Sequence, residues 1–350
     1  MYWLVFINAN DASIFLKFTS KVNLDETSKT LPCFSIIFLT KRGIACILKG
    51  MEKKLPKILA IAGPTSSGKS DLAVFLAQKW NGEIVSADSR QVYRGLDIAT
   101  GKITKKEMHG IPHHLLSVVD PKEQYAVSHF KRDAEKAVDD ILSRGKLPIL
   151  CGGTGQYMDA VTENFIAPQT KPDPKLRRKL EAKNTDELFA ELKKLDPARA
   201  NTIDRHNPRR LIRAIEIATA EGSVPQISKT PKKYNALKIA IATDKETLQA
   251  RIWDRVLKRI EQGMVEEAEK LRRGGLTFER MKELGLEYRY LAEYLEGKIT
   301  LEKMKEEIFF KDRQYAKRQL TWWKRDPNIH WFPLSERDAV MALIESFLKK

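Results

Sequence analysis

The sequence predicts an α/β fold: a parallel sheet with flanking helices, opened by a phosphate-binding loop and interrupted by an inserted, mainly helical domain. Three observations predict it. Ile58-Leu59-Ala60-Ile61-Ala62 is apolar without a polar break, as expected of a strand buried on both faces. It runs into Gly63-Pro64-Thr65-Ser66-Ser67-Gly68-Lys69-Ser70, which has the spacing G-x-x-x-x-G-K-[ST], and then into Asp71 to Ala77, which has the composition of a helix. Farther on, Pro168, Pro172 and Pro174 crowd a short stretch and helical patterns follow, which reads as a linker into an insertion. Strand, loop and helix stand in the order that a P-loop NTPase-like sheet needs.

The chemistry of the loop dictates its residue types. Gly63 and Gly68 allow a backbone that turns successive N–H groups toward one anion, Lys69 supplies a point charge, and Ser70 can hold a magnesium ion while opening the next helix. A diphosphate or triphosphate is therefore expected here. The loop alone does not say whether it belongs to a nucleotide.

The 350 residues exceed one average domain, and 42% hydrophobic content is ordinary for a chain with a proper core. A formal charge of +16 favours polyanionic partners and salt-sensitive binding, although charge alone does not separate nucleic acid from other acids. Cys33, Cys46 and Cys151 are too few and too scattered for a disulfide framework or a zinc site, which fits a reducing cytoplasm. The longest apolar runs, Met1 to Phe6 and Cys33 to Leu39, fall far short of the ~20 residues of a membrane span, and no secretory signal is visible. Residues 1–50 do not continue the core pattern. Met51 directly precedes the first strand, so the natural start is expected there, with a short appended hairpin as the alternative.

Glu83 to Ala87 reads as a second buried strand, which puts Asp88, Ser89, Arg90 and Gln91 at its carboxyl end, where open parallel sheets bind ligands. Asp88 is then either an indirect magnesium ligand or a proton acceptor, and composition leaves both open. His113 and His114 point in different directions as sequence neighbours and lack further ligands at metal spacing, so a hydrogen-bonding role is favoured. A third strand is expected over Leu115 to Val119. Phe130, Ala134, Ala137, Val138, Ile141 and Leu142 mark a helix over 128–143 that packs on the sheet. Leu147 to Cys151 is another buried strand, ending in Gly152-Gly153-Thr154-Gly155. Glycines past a strand let backbone approach a ligand, and the Thr154 hydroxyl both donates and accepts.

In the insertion, Leu176, Leu180, Leu188, Leu192 and Leu195 are apolar at helical spacing, and Asn207-Pro208 opens a further helix as cap and first-turn proline. On it Arg209 and Arg213 share one face at i, i+4, which suits phosphate contacts, while Leu211, Ile212 and Ile215 face the core. The alternation Leu237, Ile239, Ile241 signals the return to the sheet. One helix is expected over 245–273, buried along Ile252, Val256, Ile260, Met264, Ala268 and Leu271, and a last one over 301–324. The latter carries Arg313, Lys317 and Lys324 on one side. Trp322 and Trp323 near its end suit either nucleic acid or core, and Asn328 to Phe332 can add an edge strand.

At 63–70, 86–93 and 152–157 the chain resembles the tRNA dimethylallyltransferase family. Further matches are Pro112 to Leu115, Tyr125 to Asp133, Asp173 to Arg177, Pro208 to Glu216 and Arg313 to Trp322, so the resemblance spans nearly everything after residue 57. Arg90 stands where the family varies, and the stretch before Met51 lies outside the match.

The resemblance implies transfer of a dimethylallyl group from dimethylallyl diphosphate to N6 of the adenosine next to the tRNA anticodon, with Mg2+ as cofactor and the anticodon stem-loop as partner. It places the leaving diphosphate on residues 63–70, the proton on Asp88, and Thr154 beside the adenine. It puts Asp88 to Gln91, Thr154, Arg177 and Arg209-Arg210-Leu211-Ile212-Arg213 on the tRNA. A cytoplasmic monomer is expected, with residues 51–169 and 236–350 as the catalytic core and 170–235 as the tRNA-binding insertion. The alternatives are a small-molecule kinase using ATP at the same loop, and a prenyltransferase acting on free adenine nucleotides.

Overall fold

The computed structural model describes residues 54–165, 168, 170–171, 173–225 and 231–349, together with the backbone of four upstream strands. Those four, β1 (Tyr2–Asn8), β2 (Ile14–Thr19), β3 (Phe34–Thr40) and β4 (Gly43–Cys46), form an antiparallel sheet in the order β2-β1-β3-β4. They belong to a compact unit, Met1–Lys54, distinct from Leu55–Lys350. This is more than the appended hairpin allowed as an alternative.

The larger unit is built on six parallel strands: β5 (Lys57–Ala62), β6 (Gly82–Ser86), β7 (His113–His114), β8 (Leu147–Cys151), β9 (Asn235–Ala242) and β10 (Ile329–Pro333). Their order is β10-β9-β5-β8-β6-β7. Parallel sheets need cover on both faces, which is why these strands read as unbroken apolar runs. On one face α1 (Lys69–Lys79) packs Leu72, Val74 and Leu76 against Leu59, Ile61 and Ile149. On the other, α2 (Val127–Ser143) and α3 (Gly155–Thr162) bring Phe130, Val138, Tyr157 and Val161 against Ile58, Ala60 and Leu150. Lys238 is buried in β9, and it stays there because Glu163 and Asp326 reach its ammonium at 2.5 and 2.6 Å.

Two expectations need correction. The third strand is His113–His114 and not 115–119: Leu115 and Ser117 take positive φ (62° and 54°), which breaks a strand, and only Val119 bridges to Tyr93. The expected helix over 245–273 is two, α8 (Lys245–Glu261) and α9 (Met264–Arg273). Gly263, at φ 97°, turns the chain between them, a conformation that an apolar periodicity continuing across the break conceals.

The insertion contributes α4 (Pro174–Glu181), α5 (Thr185–Leu195), α6 (Pro197–Ala200) and α7 (Pro208–Glu221), with Asp173, Asn184, Asp196 and Asn207 capping the four N-termini. These helices bury a cluster of their own, with Leu180, Leu188, Leu192, Leu211 and Ile215 at its centre, while Leu195 is exposed. Of the proline-rich linker, Ile166, Ala167, Gln169 and Pro172 lie outside the described residues. The C-terminal part adds α10 (Phe278–Leu284), α11 (Leu286–Leu295), α12 (Leu301–Trp323) and α13 (Arg337–Lys349). Helices α8 to α12 share a second core with Val92, Tyr93 and Leu96.

Candidate active site

Strands β5, β8 and β6 lie side by side, so the segments leaving their carboxyl ends meet: the loop 63–70, the turn 152–155 and the segment 88–91. Backbone bonds join the last two. Ala87 N–H donates to Cys151 O at 2.8 Å and Thr154 N–H to Ala87 O at 3.1 Å. A side chain bonds there as well, for Ser89 N–H donates to Thr154 Oγ1 at 3.0 Å. Gly152 is required at this crossing, because a Cβ would land on the Ala87 carbonyl. The turn glycines thus permit close approach within the protein, where the sequence suggested a ligand.

In the loop, Gly63 and Gly68 have φ of 155° and 86°, and Lys69 Nζ folds back to donate to Pro64 O at 3.3 Å. Burial lowers the Lys69 ammonium from its ordinary range, the nearby Cys151 and Asp88 act to raise it, and Arg255 and Arg259 lower it further. Ser66 Oγ and Ser67 Oγ are buried without a hydrogen-bond partner, which is what polar groups awaiting an anion look like. Thr65 differs from the expectation. Its N–H is taken by Gln319 Oε1 at 2.8 Å and is not offered to the loop's interior.

Asp88 Oδ1 accepts from Arg90 N–H at 2.9 Å and Gln91 N–H at 3.4 Å, an Asx-type turn that aims the carboxylate. No partner among the described residues takes its other oxygen, so an acceptor site remains for a proton. Ser70 is exposed at the start of α1, and no cluster of three or more His, Cys, Asp or Glu stands among the described residues.

Four side chains at the site escaped the sequence reading. Tyr315 and Gln319, at i, i+4 on α12, both reach Gly153 O, at 3.4 and 2.8 Å. Burial pushes the Tyr315 phenol well up, with Asp88's charge adding to it. Arg255 on α8 pairs with buried Asp312 at 3.1 Å and keeps a buried Nε without a partner, while Arg259 pairs with buried Glu287 at 3.0 Å. The signal was available: 255 and 259 flank the buried stripe of Ile252 and Val256, and a charge among core positions is informative.

The comparisons with known proteins bear on this geometry. Residues 91–326 match the family model described as IPP transferase, and residues 56–118 match one described as isopentenyl transferase. The chain belongs to the tRNA dimethylallyltransferase family. A tRNA dimethylallyltransferase of Halalkalibacterium halodurans is 39% identical over 83% of this chain and 95% of its own length, and one of Acetivibrio thermocellus is 40% identical over 83% and 96%. Among solved structures, the full-length tRNA isopentenylpyrophosphate transferase of Bacillus halodurans has a TM-score of 0.63 at 38% identity, covering 84% of this chain and 95% of that one. A eukaryotic dimethylallyltransferase acting on tRNA has a TM-score of 0.71 at 29% identity, covering 84% and 80%.

Within this family member the insertion arginines stand in two kinds of place. Arg209 and Arg210 are exposed on the first turn of α7. Arg177 instead grips buried Glu216 through two bonds of 2.7 and 2.9 Å, and Arg213 donates to Glu216 and to Thr170 O. Leu211 and Ile212 are buried in the insertion's cluster. Trp323 is core, and Trp322 donates to Asp159 at 2.8 Å, so both serve packing. His114 bonds Glu83 at 2.8 Å and His113 bonds Ile111 O, both structural.

Proposed function

We propose that this enzyme transfers the dimethylallyl group of dimethylallyl diphosphate to N6 of the adenosine beside the tRNA anticodon, releasing diphosphate. The single observation that supports it best is the meeting of loop 63–70, Asp88 and Thr154 at one sheet edge, stitched by the Ser89–Thr154 bond. Lys69, the loop N–H groups and the partnerless hydroxyls of Ser66 and Ser67 hold the diphosphate, with Arg255 Nε as a further donor. Ser70 would hold magnesium, which when bound neutralises charge on the leaving group.

As the allylic carbon–oxygen bond breaks, its electron pair leaves with the diphosphate and the N6 lone pair forms the new carbon–nitrogen bond. Asp88 takes the N6 proton. The target base lies in a structured loop, so it is extruded from the stack to reach the site, with Thr154 and residues 89–91 beside it and the exposed arginines of α7 on the backbone. The enzyme acts as a monomer in the cytoplasm; among the described residues no helix is long and apolar enough to cross a membrane. Incubation with bulk tRNA and labelled dimethylallyl diphosphate, then digestion to nucleosides, tests this. Label in N6-isopentenyladenosine is expected, and ADP from ATP, or label on AMP alone, would overturn it.

A further inference from the structure

Gln319 sits on the buried face of α12, 4% exposed, and each end of its amide is used. Oε1 accepts from Thr65 N–H at 2.8 Å, inside the phosphate loop, and Nε2 donates to Gly153 O at 2.8 Å, in the turn that presents Thr154. The orientation is fixed by chemistry: an N–H only donates and a carbonyl only accepts, so a flipped amide would break both bonds at once. The two segments leave neighbouring strands, β5 and β8, yet this side chain arrives from 254 residues beyond Thr65 and 166 beyond Gly153. The neighbours leave it no slack, for a Cβ at Gly153 would strike Nε2.

From this geometry we infer that Gln319 is a positioning residue, holding the phosphate loop and the Thr154 turn in one mutual register so that the carbon on the diphosphate meets the amine. The inference rests on the site assignment proposed above. It gives a reason for the Thr65 N–H to be withheld from the anion: the loop is anchored to its neighbour by that group, and its shape is set before the donor arrives. Preorganisation of this kind affects the chemical step more than affinity, since a reacting pair displaced by about 1 Å loses about a hundredfold in rate.

The test uses a substitution that mimics only half the amide. In Gln319→Glu the ionised carboxylate still accepts from Thr65 but faces the Gly153 carbonyl with negative charge. Protonated, it regains a donor and restores both bonds. Burial raises such a carboxyl toward neutral pH, so single-turnover rates with dimethylallyl diphosphate and tRNA, as a ratio of variant to native, should climb about tenfold or more from pH 8 to pH 5.5. Taking the ratio cancels any pH dependence that the two proteins share. Gln319→Met, of similar size but without polar atoms, should lose about tenfold in rate at every pH with no acid recovery, while its melting temperature reports whether it is folded. A flat ratio for Gln319→Glu, or a folded Gln319→Met within twofold of native, would overturn the inference. Lys69→Ala and Asp88→Asn run in parallel separate the two levels. If both retain native rates, the site assignment itself falls; if both are impaired while the Glu ratio is flat, only the role of Gln319 falls.

Discussion

Thr154 and Ser89, 65 residues apart, are bonded twice: Ser89 N–H donates to Thr154 Oγ1 at 3.0 Å, and that hydroxyl donates to Ser89 Oγ at 3.3 Å. The bonds occupy Thr154's side chain, which is why it makes no cap for the helix it precedes. Thr154→Val keeps the shape and removes the acceptor, so the single-turnover rate should fall about tenfold to a hundredfold, whereas Thr154→Ser should stay near native. Equal rates for the two variants would contradict this.

Lys69 and Asp88 divide the chemistry between leaving group and nucleophile. Lys69→Ala should weaken donor binding and slow diphosphate departure together. Asp88→Asn should keep donor affinity and lower the rate about a hundredfold to ten-thousandfold, the range of a positioned base. Calorimetry of donor binding, with rates at several magnesium concentrations, checks both. Rescue of Asp88→Asn by excess magnesium, with weakened donor binding, would assign Asp88 to the metal instead.

On the insertion, Arg209 and Arg210 differ from Arg177 and Arg213. Replacing the exposed pair by Ala should flatten the salt dependence of tRNA binding by about two units of slope without altering stability. Arg177→Ala instead leaves buried Glu216 short of two bonds and should cost about 1–3 kcal/mol in chemical denaturation. An unchanged slope for the first variant would remove those arginines from the interface.

Glu287 makes stability depend on pH. Burial and the neighbouring Asp312 raise its carboxyl to about 7, against the attraction of Arg259. Between the unfolded value of 4.5 and about 7 the native state binds more protons than the unfolded one, so stability falls as pH rises through that window and is level below it. Glu287→Gln removes the titration. The gap in melting temperature between variant and native should widen in the variant's favour from pH 5 to pH 8, by an amount corresponding to on the order of 2 kcal/mol. A pH-independent gap would show that Glu287 stays ionised.

Because Met1–Lys54 forms a unit of its own, a protein starting at Met51 should retain kcat within about twofold and the same salt dependence. Mass spectrometry of the native protein completes this test. A tenfold loss would give the antiparallel sheet of β1 to β4 a part in the reaction.

The sheet and its ligand edge were legible because a strand buried on both faces must be apolar throughout, and because phosphate chemistry restricts residue types at fixed spacing. Lys69, Asp88 and Thr154 were expected at that edge for these reasons, and the strand order brings their segments together. Gln319 and Tyr315 were not, since one amide and one phenol on a long helix carry no local pattern; their partners, Thr65 and Gly153, lie far away in sequence. The break at Gly263 was hidden by an apolar stripe that spans it. Leu115 and Ser117 read as strand because left-handed backbone at non-glycine residues leaves no mark in composition. The resemblance put Arg177 on the tRNA, and the i, i+4 spacing put Arg213 on one face with Arg209; their bonds to buried Glu216 join positions that no local pattern links.

Strand β5 lies in the interior of the sheet between β8 and β9, and the first residue of β9 comes roughly 170 residues after the last of β5. On a ribosome adding about 5–20 residues per second, the central strand waits roughly 10–30 s for that neighbour, with an unpaired apolar edge in the meantime. The phosphate loop at its end therefore takes its final shape late, and its last tie, from Gln319, arrives only when nearly the whole chain has been made. A truncated nascent product would carry the motif without the anchored loop, so premature termination should release a sticky, inactive chain and not a partly working enzyme.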